Sequence, residues 1–177
     1  REQLLGEENK KMTRVCLIGC GRISHKHIEG FVKNADRMKL VATCDPLINR
    51  AQSKAAEYRQ AMSRDGDPIG IYADYREMLE ELKPDIVTIA TESGYHARIA
   101  IDCLEAGAHV ICEKPMALST HDADAMIAAS KKANRKLALC FQNRFNVPVQ
   151  RARRALEAGR FGKLLHVHLA SHKQLQG

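Results

Sequence analysis

Apolar residues in this chain recur in short runs separated by amphipathic stretches, and that alternation sets the expected architecture. Val15, Leu17 and Ile18 make a run suited to a strand buried on both faces, and it breaks at Gly19-Cys20-Gly21. The chain then reads as a helix carrying Ile23, His27 and Ile28. A second strand spans 38–45 and ends at Asp45-Pro46, followed by a helix over 48–59. Residues 60–70 read as a surface loop leading to a short third strand near Ile71-Tyr72. An amphipathic helix over 75–82 is stopped by Lys83-Pro84. Residues 85–91 form the clearest buried strand. A helix over 95–106 follows, with Gly107 as its C-cap. Strand five is 109–112, Ser119 and Thr120 cap a helix reaching about Asn134, and strand six is 137–141. This regularity predicts a doubly wound α/β domain, a parallel sheet covered on both faces, over residues 13–146.

Both ends depart from the pattern. Residues 1–12 are charged and read as a loose tail or a short capping helix. After Phe141 the pattern gives a basic helix over 149–158, ended by Gly159, then a turn at Phe161-Gly162. Residues 164–170 alternate in the manner of a strand with one polar face and no partner left in sequence. Residues 147–177 are therefore expected to begin a second, α+β domain, most of it outside this chain.

The strand–glycine–helix junction at Gly19 carries the first candidate chemistry. The first glycine permits a tight turn, and the second, Gly21, lets backbone approach a pyrophosphate that the helix N-terminus then attracts. The third small position is Ser24. An ordinary buried strand ending in a glycine turn fits the same stretch. Asp45 lies 24 positions after Gly21, near the roughly 20-residue offset of an acid that holds an adenosine ribose. A carboxylate there repels a 2′-phosphate and favours NAD over NADP; a strand-ending Asp before Pro is the plainer reading.

Composition narrows the classes. No apolar run reaches the roughly 18–20 residues of a membrane span, and no signal-peptide core precedes the first strand. The six cysteines include no C-x-x-C pair, so no metal ligand set is expected. Reduced, buried thiols in a cytoplasmic protein are the better account. The formal charge of +7 comes from Lys and Arg interleaved with Asp and Glu, without a basic block. That points to anionic small molecules rather than nucleic acid or membrane.

The third constellation is the most specific. Strand five runs into Glu113-Lys114-Pro115, and strand four into Thr91-Glu92-Ser93-Gly94-Tyr95-His96. With G-x-G-R-I-x-x-x-H from Gly19 to His27, L-x-A-G-x-H-V-x-x-E-K-P from Leu104 to Pro115, and the later Asn143-Arg144-Phe145, the chain resembles the N-terminal domain of the Gfo/Idh/MocA oxidoreductase family from Thr13 onward. Ser24 and Glu92 depart from its usual pattern. The resemblance implies a Rossmann fold, NAD as cofactor, and hydride transfer between nicotinamide and the hydroxyl of a sugar, polyol or nucleotide sugar. Gln142-Asn143-Arg144-Phe145-Asn146 resembles the branch acting on nucleotide-linked amino sugars and their uronates. It also implies a homo-oligomer assembled through the sheet of the second domain.

On this reading Lys114 is the catalytic base, its pKa lowered beside cationic oxidised nicotinamide. Glu113 either holds Lys114 or caps a backbone turn, and Pro115 restricts the Lys114 backbone and admits a cis peptide bond. Gly19, Gly21, Arg22, Ile23, Asp45, Thr91, Ser93, His96, Glu113 and Lys114 are the expected cofactor contacts. Lys114, Asn143 and Arg144 are the expected substrate contacts. An exposed loop lysine, a packed structural His96, a hydrogen-bonded helix His27 and an Asn143-Arg144 pair bracing the connection are the plainer alternatives. His166, His168 and His172 read as sheet surface. Two rival classes stay open, a redox-sensing NAD(H)-binding module without turnover and a methyltransferase with a similar glycine loop. Glu113-Lys114-Pro115 speaks against both. Residues 1–177 alone are expected to bind NAD without turning over a sugar, because the positioning surface belongs to the second domain.

Overall fold

The structure, a computed structural model, describes residues 12–63 and 68–168. They fall into two compact units, one reaching to Cys140 and one starting at Phe141. The first unit alternates strand and helix: β1 (Thr13–Ile18), α1 (Ser24–Lys33), β2 (Met38–Cys44), α2 (Ile48–Met62), β3 (Gly70–Tyr72), α3 (Tyr75–Leu82), β4 (Ile86–Ile89), α4 (His96–Glu105), β5 (His109–Cys112), α5 (Thr120–Ala133) and β6 (Leu137–Leu139). All six strands are parallel, in the order β3-β2-β1-β4-β5-β6. This is the doubly wound Rossmann arrangement, and the chain crosses from β3 over β1 to β4. A cleft opens at that reversal, at the carboxyl ends of β1 and β4.

The continuous apolar runs are explained by burial on both faces. In β1, Val15 and Leu17 join the cluster built with Ile28 and Phe31 of α1 and Ala51, Ala55 and Tyr58 of α2. Cys16 and Ile18 point the other way, to Met78 of α3, Ile99 and Leu104 of α4 and Met126 of α5. A strand fed from both sides needs apolar residues at every position. The six cysteines are free, five of them buried. Burial pushes the thiols of Cys16, Cys20, Cys44 and Cys112 up to about 12.

Helix ends follow local chemistry. Asp74 caps α3 by accepting the Arg76 N–H, and Ser119 caps α5 by accepting the Asp122 N–H. Gly107, at φ +90°, turns the chain out of α4. Lys83 stops α3 in the left-handed region, φ +44°, rather than in the extended state expected before a proline. The helix after β2 runs on to Met62, into the stretch expected to be a loop. Residues 93–95 form a 3-10 turn, so α4 starts at His96.

In the second unit, a 3-10 turn (Gln142–Phe145) leads into α6 (Val147–Glu157). The basic helix was expected from residue 149. It starts earlier because Pro148 fits the first turn, where its fixed φ suits the helix and its missing N–H would have no partner anyway. The expected strand over 164–170 is not formed where the structure describes it. Residues 164–168 are irregular, since no neighbouring strand supplies a ladder. Residues 169–170, the tail at 1–11 and His172 lie outside the described residues. Among the described residues no helix is long and apolar enough to cross a membrane.

Candidate functional site

The glycine turn is fixed by packing between strand exits. Gly19 sits at φ +89°, and a Cβ there would stand 2.6 Å from the Ala90 carbonyl carbon and the Thr91 nitrogen. Because β1 and β4 are adjacent, only a residue without a side chain fits. Its N–H donates to the Cys44 carbonyl at 2.8 Å, which joins the β1 and β2 exits. A Cβ on Gly21 would meet nothing within 4 Å, so that backbone is open to a ligand. Ser24 is fully buried, and its hydroxyl and N–H both donate to the Gly21 carbonyl, at 2.5 and 3.2 Å. The serine thus closes the turn at the third small position.

Asp45 sits beside that turn and is 6% exposed. One carboxylate oxygen accepts the Cys20 N–H at 2.9 Å, and the other accepts the Leu47 N–H at 2.9 Å. The carboxylate is held rigidly at the tip of β2. A carboxylate has about four lone-pair sites, so both oxygens retain capacity to accept from a ligand.

These residues line a cleft of about 570 Å³. Gly19, Gly21, Arg22, Asp45 and Thr91 lie in its walls. Among the described residues the walls do not include Ile23, Ser93 or His96, which adjoin wall residues in the chain, nor Glu113 and Lys114, which follow β5. Sequence reasoning missed Tyr75, Tyr95 and Arg98, which also line the cleft. The Arg98 guanidinium stacks over the Tyr95 ring at 5.7 Å, and their spacing of three at the start of α4 was the available signal. The Tyr75 hydroxyl donates to Asp102 at 2.6 Å; burial and that carboxylate push it up to about 12. Arg50, on the first turn of α2, is a further cation in the walls.

The exits of β4 and β5 are pinned together by His96. It is 1% exposed, with its ring nitrogens 2.8 Å from the Pro115 carbonyl and 3.1 Å from the Thr91 carbonyl. It is a packed histidine at the base of both loops. The Lys114–Pro115 peptide is cis, and the Lys114 side chain is exposed. Glu113 is buried. One of its oxygens accepts the Lys114 backbone N–H at 3.2 Å, and the other faces His27 Nε2 at 3.1 Å. That contact fits both roles open to Glu113, since accepting the Lys114 N–H caps the turn and holds the Lys114 backbone. Burial holds His27 below its usual value, opposed in part by the Glu113 charge. Burial and Glu113 push the Cys140 thiol up to about 11. Asn143 and Arg144 belong to the second unit, where both are exposed. The Asn143 side-chain oxygen accepts from the Asn146 amide at 3.4 Å.

A family model described as an oxidoreductase family with an NAD-binding Rossmann fold, Gfo/Idh/MocA, matches residues 13–141. The chain is 31% identical to D-glucoside 3-dehydrogenase of Escherichia coli (strain K12), over 85% of this chain and 41% of that protein. It is 32% identical to myo-inositol 2-dehydrogenase of Thermotoga maritima, over 85% and 42%. Among solved structures, the WlbA dehydrogenase from Bordetella pertussis in complex with NADH and UDP-GlcNAcA superposes with a TM-score of 0.78 at 35% identity, covering 86% of this chain and 44% of that one. The chain spans less than half the length of these relatives.

Proposed function

Since the chain belongs to the Gfo/Idh/MocA oxidoreductase family, we propose that it carries the NAD site and the catalytic lysine of a dehydrogenase acting on a sugar, polyol or nucleotide-sugar hydroxyl. The observation that carries this reading is the buried Asp45 carboxylate clamped onto the Cys20 N–H of the glycine turn. A strand-end acid and a glycine turn thus share one cleft at the strand-order reversal, which supports ribose and phosphate binding there. The open space at Gly21 and the absence of acidic residues in the first turn of α1 fit a dinucleotide's pyrophosphate there.

NAD, when bound, supplies the hydride acceptor. The chain's own residues do the rest. The N-terminal end of the α1 dipole favours the anion, while the N–H groups of Ser24 and Lys26 close the turn on the Gly21 and Ile23 carbonyls. Arg22 adds a cation at the turn. Asp45 accepts from the ribose hydroxyls and disfavours a 2′-phosphate. Lys114 takes the proton of the substrate hydroxyl through Nζ, while Glu113 fixes its backbone. Asn143 and Arg144 meet an anionic group on the substrate. The likeness to a dehydrogenase solved with UDP-GlcNAcA supports a nucleotide-linked uronate as the substrate class.

The test is Lys114→Ala in the full-length protein, assayed over nucleotide sugars and polyols. Expected is a fall in kcat on the order of a hundredfold or more, the usual scale of general acid–base catalysis, with NADH affinity little changed. A near-normal kcat would place the proton transfer elsewhere.

A further inference from the structure

Three side chains from distant parts of the sequence converge beside Lys114. His27 comes from α1, Glu113 from the β5 exit and Cys140 from the β6 exit. A ring nitrogen, a carboxylate oxygen and the Sγ lie within 4.8 Å of one another. The side chains of His27 and Glu113 are only 12% and 9% exposed. We propose that His27, Glu113 and Cys140 form a binding site for one borderline-soft divalent cation, Zn²⁺ foremost, with the fourth position left to water.

The geometry and the donor set both favour this ion. Around tetrahedral zinc with bonds of about 2.0–2.3 Å, neighbouring ligand atoms stand about 3.3–3.6 Å apart. His27 Nε2 and Glu113 Oε1 are already 3.1 Å apart, so the cation enters with small side-chain adjustments. Imidazole with thiolate selects zinc-like ions over magnesium and calcium. On binding, the Cys140 S–H bond breaks, the proton passes to solvent and a sulfur–metal bond forms. The His27–Glu113 hydrogen bond is replaced by two metal–ligand bonds: the Nε2 proton leaves to solvent, Nδ1 takes up one proton from solvent so that the imidazole stays neutral, and no electron is transferred. The other Glu113 oxygen keeps the Lys114 N–H at 3.2 Å, an outer hydrogen bond of the kind that orients a ligand. The sequence expectation of no metal rested on the lack of a spacing motif. A site assembled from three strand and helix ends leaves no such motif.

The test is a Co²⁺ titration of the 177-residue chain, read by its sulfur-to-cobalt charge-transfer band and its visible bands, followed by displacement with Zn²⁺. Expected are one ion per chain, a thiolate band and tetrahedral visible intensity. Cys140→Ser should abolish the band, and His27→Gln should weaken binding roughly tenfold or more, both with native circular dichroism. X-ray absorption of the zinc-loaded unsubstituted chain should show one sulfur among nitrogen and oxygen neighbours, which decides the matter even if a variant fails to fold. A missing thiolate band, a band unchanged in Cys140→Ser, or a shell of several sulfurs overturns the site. None of these outcomes touches NADH binding, which the function proposal rests on.

Discussion

Gly19 and Gly21 divide the work of the turn. Gly19 is a folding residue: its positive φ and the backbone of Ala90 and Thr91 at 2.6 Å leave no room for a methyl group. Gly19→Ala is expected to destabilise the protein by roughly 2 kcal/mol or more, seen as a lower urea midpoint without NADH. Gly21 is the proposed ligand residue, with nothing within 4 Å of its would-be Cβ. Gly21→Ala should leave the midpoint within about 1 kcal/mol of wild type while weakening NADH about tenfold, or about 1.4 kcal/mol. The reverse ranking would mean the turn does not face the cofactor. Asp45 holds the turn and is the proposed ribose acceptor. Asp45→Ala leaves the N–H groups of Cys20 and Leu47 without their acceptor, at about 1–3 kcal/mol for a group left unpaired. It also removes the barrier to a 2′-phosphate. Fluorescence titration should show NADH preferred by the wild type and the preference over NADPH narrowed in the variant, alongside a lower melting temperature. Tighter binding of NADPH to the wild type would overturn the ribose role.

At the scale of elements, the site depends on how strand exits are tied together. Backbone ties join neighbouring exits, among them the Gly19 N–H to the Cys44 carbonyl, the Ala90 N–H to the Ile18 carbonyl, the Glu113 N–H to the Ile89 carbonyl and the Cys140 N–H to the Cys112 carbonyl. Side chains add Asp45 at the β1–β2 exits and His96 between the β4 and β5 exits, and a side-chain tie can be removed alone. His96→Leu keeps the bulk but removes the ring N–H that a neutral imidazole offers to one of the two carbonyls, Thr91 or Pro115, at about 1–3 kcal/mol for the group left unpaired. Hydrogen exchange should then rise selectively over residues 91–96 and 113–118, with the β1–β2 junction unaffected. Uniform protection in the variant would show that packing, not the histidine, sets those loops. The histidine's presence was plain in the sequence, yet its partners were not. A helix start near residue 95 followed from local pattern, whereas two carbonyl partners on different loops depend on the sheet order. Tyr95 and Arg98 were missed for a similar reason. Their spacing of three says that they share a helix face, but only the neighbouring strand exits make that face a cleft wall.

Across the whole molecule, cofactor binding should appear as a gain in global stability. With NADH at a hundred times its Kd, linkage gives about 2.7 kcal/mol, or about 5–11 °C of melting temperature for a chain of this size. S-adenosylmethionine at the same excess should give no shift, and a larger shift with it would favour the methyltransferase class. The order of elements, the two-sided burial of the strands and the glycine turn were legible in the sequence alone. Each follows from local periodicity, capping chemistry or steric demand, which neighbours along the chain already express. The same local logic failed at residues 164–168, because alternation gives a strand only when a partner strand offers a ladder. Tertiary structure alone decided the strand order β3-β2-β1-β4-β5-β6, and with it every contact between separate exits. The clamp of Asp45 on Cys20, the two carbonyls of His96 and the meeting of His27, Glu113 and Cys140 all come from that order. Such contacts join residues far apart in the chain. Their energies depend on distances that no local pattern encodes, so the sequence named the residues and the packing of the sheet chose their partners.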